Sequence, residues 1–365
     1  MAAETIGVGI IGASAEGGWA KESHVPAVRA LAGLELVAVA TTSQSNADAA
    51  ARAFGARSGY GDAAAMFRDS AVELVAIAVK VPAHRDLVLG ALAAGKHVLC
   101  EWPLGRNMAE SQELAEAAER AAVRVAIGLQ TRENPAVRRA QELVRSGALG
   151  RILSARVVST TAGFGPEVPS AMTYAEDPAN GVTLLSIQGA RTLDLAIALL
   201  GAFSDLSALA ATQYPEIRVG DDATPAVRTT PDHVLVQSRL ASGAILGVDV
   251  AGGFPPDDTP FRFEVFGERG RLALAGGALR GFQSGRLRLE VDGTFEPTAD
   301  GETGALPDSA ANVADTYAIF RDDIVNNTRT VPDFEHAVRL SRLIDAVLAS
   351  SSSGSRLTAQ DWPTC

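Results

Sequence analysis

Short β-branched apolar runs alternate with alanine-rich segments over residues 5–130. The runs are Ile6–Ile11, Leu34–Ala40, Val72–Val79, Lys96–Cys100 and Val123–Leu129. A strand that is apolar without alternation is buried on both faces, as in a parallel sheet covered by helices. The segments between the runs have helical spacing, clearest in Met108–Ala122. Parallel neighbours need long crossovers, so this βαβ rhythm predicts an α/β fold: a Rossmann-type doubly wound parallel sheet.

After Pro135 the pattern changes. A helix over Pro135–Ser146 stops at Gly147, and alternating segments follow: Arg151–Thr160, His233–Leu240, Ala244–Val250, Phe261–Phe266, Arg271–Ala275 and Arg286–Val291. Alternation between glycine-rich turns predicts antiparallel strands. A helix is expected at Gly189–Leu200, and two more at Asn312–Asn326 and Phe334–Ser350, with Ser350–Ser353 and Gly354 read as a loop. The expected organisation is a dinucleotide-binding domain at 1–132. An α+β domain with a large, mostly antiparallel open sheet then fills 133–365, the last helices packing on either one.

Composition narrows the classes of partner. The 365 residues carry a net charge of −11 with pI about 5.0 and no Lys/Arg run. Such a chain repels phosphate backbones at long range, so no direct nucleic-acid contact is expected. No stretch of about 18 uncharged apolar residues is evident, so no membrane partner is expected either. Cys100 and Cys365 form no disulfide framework and no zinc pattern, so no metal is expected. A reducing cytoplasm is the compartment that fits. The N-terminus lacks a positive residue before its apolar run, unlike a secretory signal.

The first strand runs into Gly12-Ala13-Ser14-Ala15-Glu16-Gly17-Gly18. G-x-G-x-x-G fits Gly12, Ser14 and Gly17 with Ser14 in the middle glycine's place. The complete match at Gly7, Gly9 and Gly12 lies inside the strand. A glycine turn lets backbone approach a pyrophosphate, whose charge meets the amides of the following helix. A tight turn without ligand uses the same residues, and its position at the first βα junction favours the dinucleotide. At the end of the second strand, where an acid would select NAD, stand Thr41, Thr42 and Ser43. Hydroxyls there suit either ribose or 2′-phosphate, so NAD or NADP is expected, with a lean to NADP.

The strings Ala78-Val79-Lys80-Val81-Pro82-Ala83-His84, Gly95-Lys96-His97-Val98-Leu99-Cys100-Glu101-Trp102-Pro103-Leu104 and Gly128-Leu129-Gln130-Thr131-Arg132 together resemble the Gfo/Idh/MocA oxidoreductases along the whole chain. The insertion Gly18–Ala27, with Leu129-Gln130 and Thr230-Pro231-Asp232-His233, is similar to a branch of that family containing the fungal galactose-regulon repressor, a regulator that binds a nicotinamide dinucleotide. The resemblance implies that Gly12, Ser14, Gly17, Gly18, Thr41, Thr42, Ser43, Val79, Lys80, His84, Glu101, Trp102, Pro103 and Gln130 surround the cofactor. It also implies a homodimer or tetramer built on the free sheet face.

Two departures bear on chemistry. Where the family's dehydrogenases carry Glu-Lys-Pro, this chain has Glu101-Trp102-Pro103, and Trp102 has no proton to transfer, though it could stack on a ring. Where the family reads Asp-x-Gly-x-His-x-x-Asp, this chain has Ile187-Gln188-Gly189-Ala190-Arg191-Thr192-Leu193-Asp194. Arginine is a poor base and a good anchor for anionic or hydroxylated ligands. Candidate catalytic residues are therefore Lys80, Arg191 and Asp194, with Tyr174 and Asn180 as further pocket candidates. The plainer reading, favoured for Lys80, is a solvated strand-end lysine, and for His84 a helix-start residue. Lys96 and His97 read as structural, His24 as a support of the cofactor turn, and Trp19 as a lid or packing anchor. Two functions remain in view: an oxidoreductase acting on a small sugar or polyol, and a dinucleotide-binding regulator without turnover.

Overall fold

The computed structural model describes residues 5–299 and 303–362. Residues 1–4 and Cys365, read above for a leader and for cysteine pairing, lie outside the described residues. The chain divides into two compact units, Met1–Gln130 with Asp300–Val338 and Thr131–Ala299 with Arg339–Cys365. Of the last helices, which the sequence left free to pack on either domain, the segment around the penultimate one belongs to the first unit, where Val313, Tyr317 and Phe320 join the core.

In the first unit the parallel strands β1 (Ile6–Ile11), β2 (Leu34–Ala40), β3 (Ser58–Tyr60), β4 (Leu74–Ile77), β5 (His97–Glu101) and β6 (Val125–Gly128) lie in the order β3-β2-β1-β4-β5-β6. Every residue of β1 is buried, as a central strand covered on both faces must be. Helices α1 (Val25–Ala30), α2 (Gln44–Phe54), α3 (Ala63–Phe67), α4 (His84–Ala93) and α5 (Met108–Ala121) make the crossovers. Three of them begin at a side-chain cap, where Ser43, Asp62 and Asn107 each accept a backbone N–H of the first turn.

The second unit opens with α6 (Pro135–Arg145) and β7 (Ile152–Thr160), then β8 (Glu167–Val168). The helix α7 (Ala190–Leu200) continues a wider turn at Leu185–Gly189 and precedes β9 (Phe203–Ala211), β10 (Glu216–Val219), β11 (Thr224–Val227), β12 (His233–Leu240) and β13 (Ile245–Ala251). Then come β14 (Phe261–Gly267), β15 (Arg271–Gly276), β16 (Arg288–Val291) and β17 (Thr294–Glu296), and β18 (Leu357–Thr358) closes an edge. The large sheet has the order β17-β16-β15-β14-β7-β13-β12-β9-β18, and a small one β11-β10-β8. Pairing in the large sheet is antiparallel except for β7 with β13. On one face Val157, Val236, Leu246 and Phe263 are buried; on the other Val158, Leu235 and Ile245 are exposed.

Helix α8 (Asp308–Asn326) lies in the first unit, and α9 (Phe334–Ser353) contributes to both. Val313, Tyr317 and Phe320 of α8 pack with Val28 and Leu31 of the α1 region and with Ile6, Val8 and Ile10 of β1. The expected loop at Ser350–Ser353 is instead the last turn of α9. Ser350 and Ser351 accept the amides of Ala208 and Ala210 on β9, so tertiary bonds carry the helix through poor helix formers. The apolar stretch Pro178–Leu200 is long enough to cross a membrane, but most of it is buried inside the unit, as a core helix is.

Candidate functional site

Ligands of doubly wound sheets bind beyond the carboxyl ends of the strands, where the order reverses. Here that point lies between β1 and its neighbours β2 and β4. At the end of β1, Gly12 has φ +95°, and a Cβ on it would lie 2.4 Å from the Ala78 carbonyl and 2.8 Å from Val79 Cγ1. Only glycine fits. Its amide donates to Ala40 O at 2.9 Å, and the Ala78 amide donates to Ile11 O, so the turn is tied to both neighbouring strands. Ser14 donates its amide to Gly12 O, and its Oγ accepts from the Glu16 amide at 3.2 Å. Beyond it the turn stands open: a Cβ on Gly17 or Gly18 would meet nothing within 4 Å. Gly17 is therefore not there for close helix–strand packing, and the space above it can admit a ligand.

The insertion then winds through a wide turn at Ala20–His24 into α1. Lys21 Nζ donates back to Ala15 O at 2.6 Å. Trp19 Nε1 and His24 Nε2 both meet Glu101 Oε1, at 3.0 and 2.9 Å, and His24 Nδ1 meets the Tyr317 hydroxyl at 2.9 Å. His24 and Tyr317 are fully buried and Glu101 nearly so. Gly128, paired with Glu101 across β5 and β6, leaves room for this carboxylate, since a Cβ there would lie 2.7 Å from Oε2. Sequence reasoning singled out Trp19, His24 and Glu101 separately. Tyr317 carried no signal beyond its place on an amphipathic helix.

At the end of β2, Thr41 Oγ1 donates to Ser43 O and Ser43 caps α2, while Thr42 is exposed. Gln44 ties this corner to β3, donating to Gly59 O and accepting from the Gly61 amide. No carboxylate stands at positions 41–43. After β4, Val79 is half-buried and Lys80 exposed. His84 is buried, with Nδ1 2.8 Å from Pro103 O and Nε2 3.0 Å from Val79 O. Burial lowers its pKa, although the two carbonyls oppose this. It thus joins the loops after β4 and β5. The peptide bond between the buried Trp102 and Pro103 is cis.

Lys96 donates to Asp69 O and Val72 O, and His97 Nδ1 accepts from the Arg124 amide, bonds that hold the start of β5. Gln130, after β6, is 2% exposed, and neither its Oε1 nor its Nε2 has a protein partner. A buried amide with both ends unmet is what a ligand or ordered water would satisfy. The cleared glycine turn and this amide fit a dinucleotide.

In the second unit Asp194 is 1% exposed and accepts from Arg132 Nη1 at 2.7 Å. Arg191 lies one helical turn earlier, 8% exposed, with Nη1 3.4 Å from Ile187 O. Asn180 donates to Tyr174 O at 2.7 Å, and burial raises the Tyr174 pKa. Gln188 and Thr192 share the Ser159 hydroxyl at 2.8 Å each, a buried polar row between α7 and β7. A second cluster escaped sequence reading. Arg228 holds Glu176 through two bonds, reaches Gly165 O and meets Asp232 at 3.4 Å. Asp232 in turn accepts the amides of Gln213 and Tyr214. Among the described residues no group of three or more His, Cys, Asp or Glu could hold a metal ion.

Residues 6–129 match the oxidoreductase family with an NAD-binding Rossmann fold, and residues 135–276 match the Gal80p C-terminal domain. A dehydrogenase of Aspergillus oryzae, aclE, is 30% identical over 88% of each chain. The galactose/lactose metabolism regulatory protein GAL80 of Saccharomyces cerevisiae is 26% identical over 98% of this chain and 95% of its own. A crystal structure of its super-repressor mutant superposes with a TM-score of 0.87 at 23% identity, covering 99% of this chain and 100% of that one. Levoglucosan dehydrogenase in complex with NADH and L-sorbose superposes with a TM-score of 0.83 at 22% identity, covering 99% and 100%. The glycine turn, the parallel sheet and these likenesses lead to one conclusion: the chain belongs to the Gfo/Idh/MocA oxidoreductase family, with an NAD-binding Rossmann domain followed by a Gal80p-type C-terminal domain.

Proposed function

We propose that the chain is a nicotinamide-dependent oxidoreductase acting on a small sugar or polyol. The observation that carries this is the glycine turn, which closes on Ala78 and Val79 below and stands open at Gly17 and Gly18 above. The bound dinucleotide supplies hydride transfer at the nicotinamide C4; the protein binds and orients. Backbone amides at the open end of the turn, at Gly17 and Gly18, hold the diphosphate. Hydroxyls of Thr41, Thr42 and Ser43 serve the adenosine ribose and, with no acid beside them to repel it, a 2′-phosphate, so NADP is favoured over NAD. Gln130 gives the cofactor an amide, and Trp102 a flat apolar face. Lys80 Nζ, at the carboxyl edge of the parallel sheet, moves the proton of the reacting hydroxyl, and in the second unit Arg191 is an anchor suited to hydroxylated or anionic groups. Levoglucosan dehydrogenase, a relative solved with NADH and L-sorbose, supports this class of substrate.

A second reading has its own support. Trp102, Ile187 and Arg191 stand where the family carries proton-transfer groups, Asp194 is engaged by Arg132, and the likeness to GAL80 runs nearly end to end. On this reading the chain binds a dinucleotide and signals through a protein contact. Single-turnover absorbance of the nicotinamide, across sugars, inositols and amino-sugar acids, separates the two. Reduced coenzyme with any of them supports the enzyme, with Lys80→Ala slowing its formation. Dinucleotide uptake with no reduction selects the regulator. In either case we place the chain in the cytoplasm as a homodimer or tetramer built on the exposed side chains of β7, β12 and β13, which light scattering would test.

A further inference from the structure

The dinucleotide reading leaves a buried carboxylate to be explained. Glu101 closes β5, and a family resemblance would put it against the cofactor. The geometry gives it other work. One oxygen, Oε1, takes both Trp19 Nε1 at 3.0 Å and His24 Nε2 at 2.9 Å. Trp19 directly follows Gly17-Gly18, and His24 ends the wide turn that leads into α1. The segment between them is closed on itself, with Ser23 Oγ donating to Trp19 O and the Glu22 amide to Gly18 O. It is also closed on the glycine turn, through Lys21 and Ala15 O. Glu101 is thus the point at which the insertion after the glycines is fastened to the sheet.

Burial and the Glu101 charge hold the Tyr317 phenol far above its usual range, so its O–H stays in place 2.9 Å from His24 Nδ1. Whichever way that bond runs, an ionised carboxylate only accepts, so Trp19 Nε1 and His24 Nε2 are both donors to Glu101 Oε1. A charge-assisted hydrogen bond is roughly twice as strong as a neutral one.

We propose that Glu101 is a positioning residue for the coenzyme: through Trp19 and His24 it sets the place of the amides that follow Gly17, and so acts on dinucleotide affinity without touching the dinucleotide. This rests on the dinucleotide reading above. The tether forms through two partners of one oxygen, so removing the carboxylate should cost the whole effect and removing the Trp19 donor a share of it.

The test is calorimetric titration with NADH and with NADPH, well below the melting temperature, of the full chain and of Trp19→Phe, Glu101→Gln and the double variant. Trp19→Phe keeps an aromatic face and loses the donor with the pyrrole part of the indole; Glu101→Gln keeps the shape and loses the charge. Glu101→Gln should weaken binding roughly tenfold and Trp19→Phe by a measurable part of that, and the double should be no weaker than Glu101→Gln, because Trp19 acts through the same carboxylate. The indole Hε1 resonance of Trp19 should move upfield in Glu101→Gln. Variants that melt lower but bind as the wild type does would make the network merely structural and overturn the proposal. So would Trp19→Phe at wild-type affinity beside a weakened Glu101→Gln, the mark of direct contact by the carboxylate, or an additive double. Should Glu101→Gln not fold, Trp19→Phe alone decides by its affinity. A wild type that takes up neither coenzyme overturns the dinucleotide reading and the tether with it.

Discussion

Two glycines of one turn should fail in opposite ways when given a methyl group. At Gly12, φ is +95° and the added carbon would sit 2.4 Å from Ala78 O and 2.8 Å from Val79 Cγ1. The left-handed backbone costs an L-residue roughly 1–2 kcal/mol. Forcing the carbon into a packed site costs about 1–3 kcal/mol more. Against this, the unfolded chain loses glycine's freedom, returning about 0.4–1 kcal/mol. Gly12→Ala should therefore destabilise the fold by about 1–5 kcal/mol, against a typical total of roughly 5–15 kcal/mol. The protein would still fold and would melt several degrees lower. At Gly17, φ is not positive and nothing lies within 4 Å of the added carbon. Gly17→Ala should change stability by no more than about 0.5 kcal/mol. Yet it puts a methyl into the space that the diphosphate would occupy. A loss of about tenfold or more in dinucleotide affinity is expected there, equivalent to about 1.4 kcal/mol. Urea unfolding and coenzyme titration of the same two variants check both statements. Wild-type stability for Gly12→Ala would refute the packing argument. Wild-type affinity for Gly17→Ala would refute the placement of the ligand.

Trp102→Lys puts an amine where the family's dehydrogenases carry one. If the chain is an enzyme limited by proton transfer, its single-turnover rate should rise on the order of 10²-fold or more; a regulator should show no such gain. Asp323 gives a prediction about pH. Burial pushes its carboxyl up, but bonds from Thr328, Val331 and Thr330 outweigh this and hold it below its usual range. Its folded pKa is thus below the unfolded one, so its contribution is full above about pH 4 and is lost as pH falls through the folded pKa. Asp323→Asn should lower stability at neutral pH by about 1–3 kcal/mol, and thermal melts should show that difference shrinking in acid.

What the sequence made legible follows from burial. β1 and β2 are readable because strands covered on both faces leave almost no polar residue to blur them. β3 has only three residues, Ser58–Tyr60, all half-buried at a sheet edge, and nothing apolar marks it. β9 reads Phe-Ser-Asp-Leu-Ser-Ala-Leu-Ala-Ala, a composition that suits a helix; its pairing with β12 along its length overrides that preference. The small sheet of β8, β10 and β11 is mostly exposed and carries no periodic signal. At the candidate site, Gly12 is legible because a left-handed turn after a buried strand calls for glycine. Tyr317 is not, because it lies 293 residues from His24 and only the folded first unit joins them. The same distance in sequence left the membership of α8 open between the two domains.

Enzyme and regulator diverge at one physical point. Holding a dinucleotide asks mainly for backbone: a turn free of side chains, with amides facing outward. Moving a hydride to or from an alcohol also asks for a side chain that can take a proton and return it. Trp102 offers none. Asp194, in the second unit, gives one carboxylate oxygen to Arg132 at 2.7 Å. Lys80, exposed at the carboxyl edge of the sheet, is the amine proposed above to move the proton. The decision between enzyme and sensor thus does not lie in affinity, which both require. It lies in whether Lys80→Ala separates binding from reduction: a chain that binds coenzyme unchanged and loses its single turnover has used that amine, and one that reduces coenzyme at the wild-type rate has its proton path elsewhere.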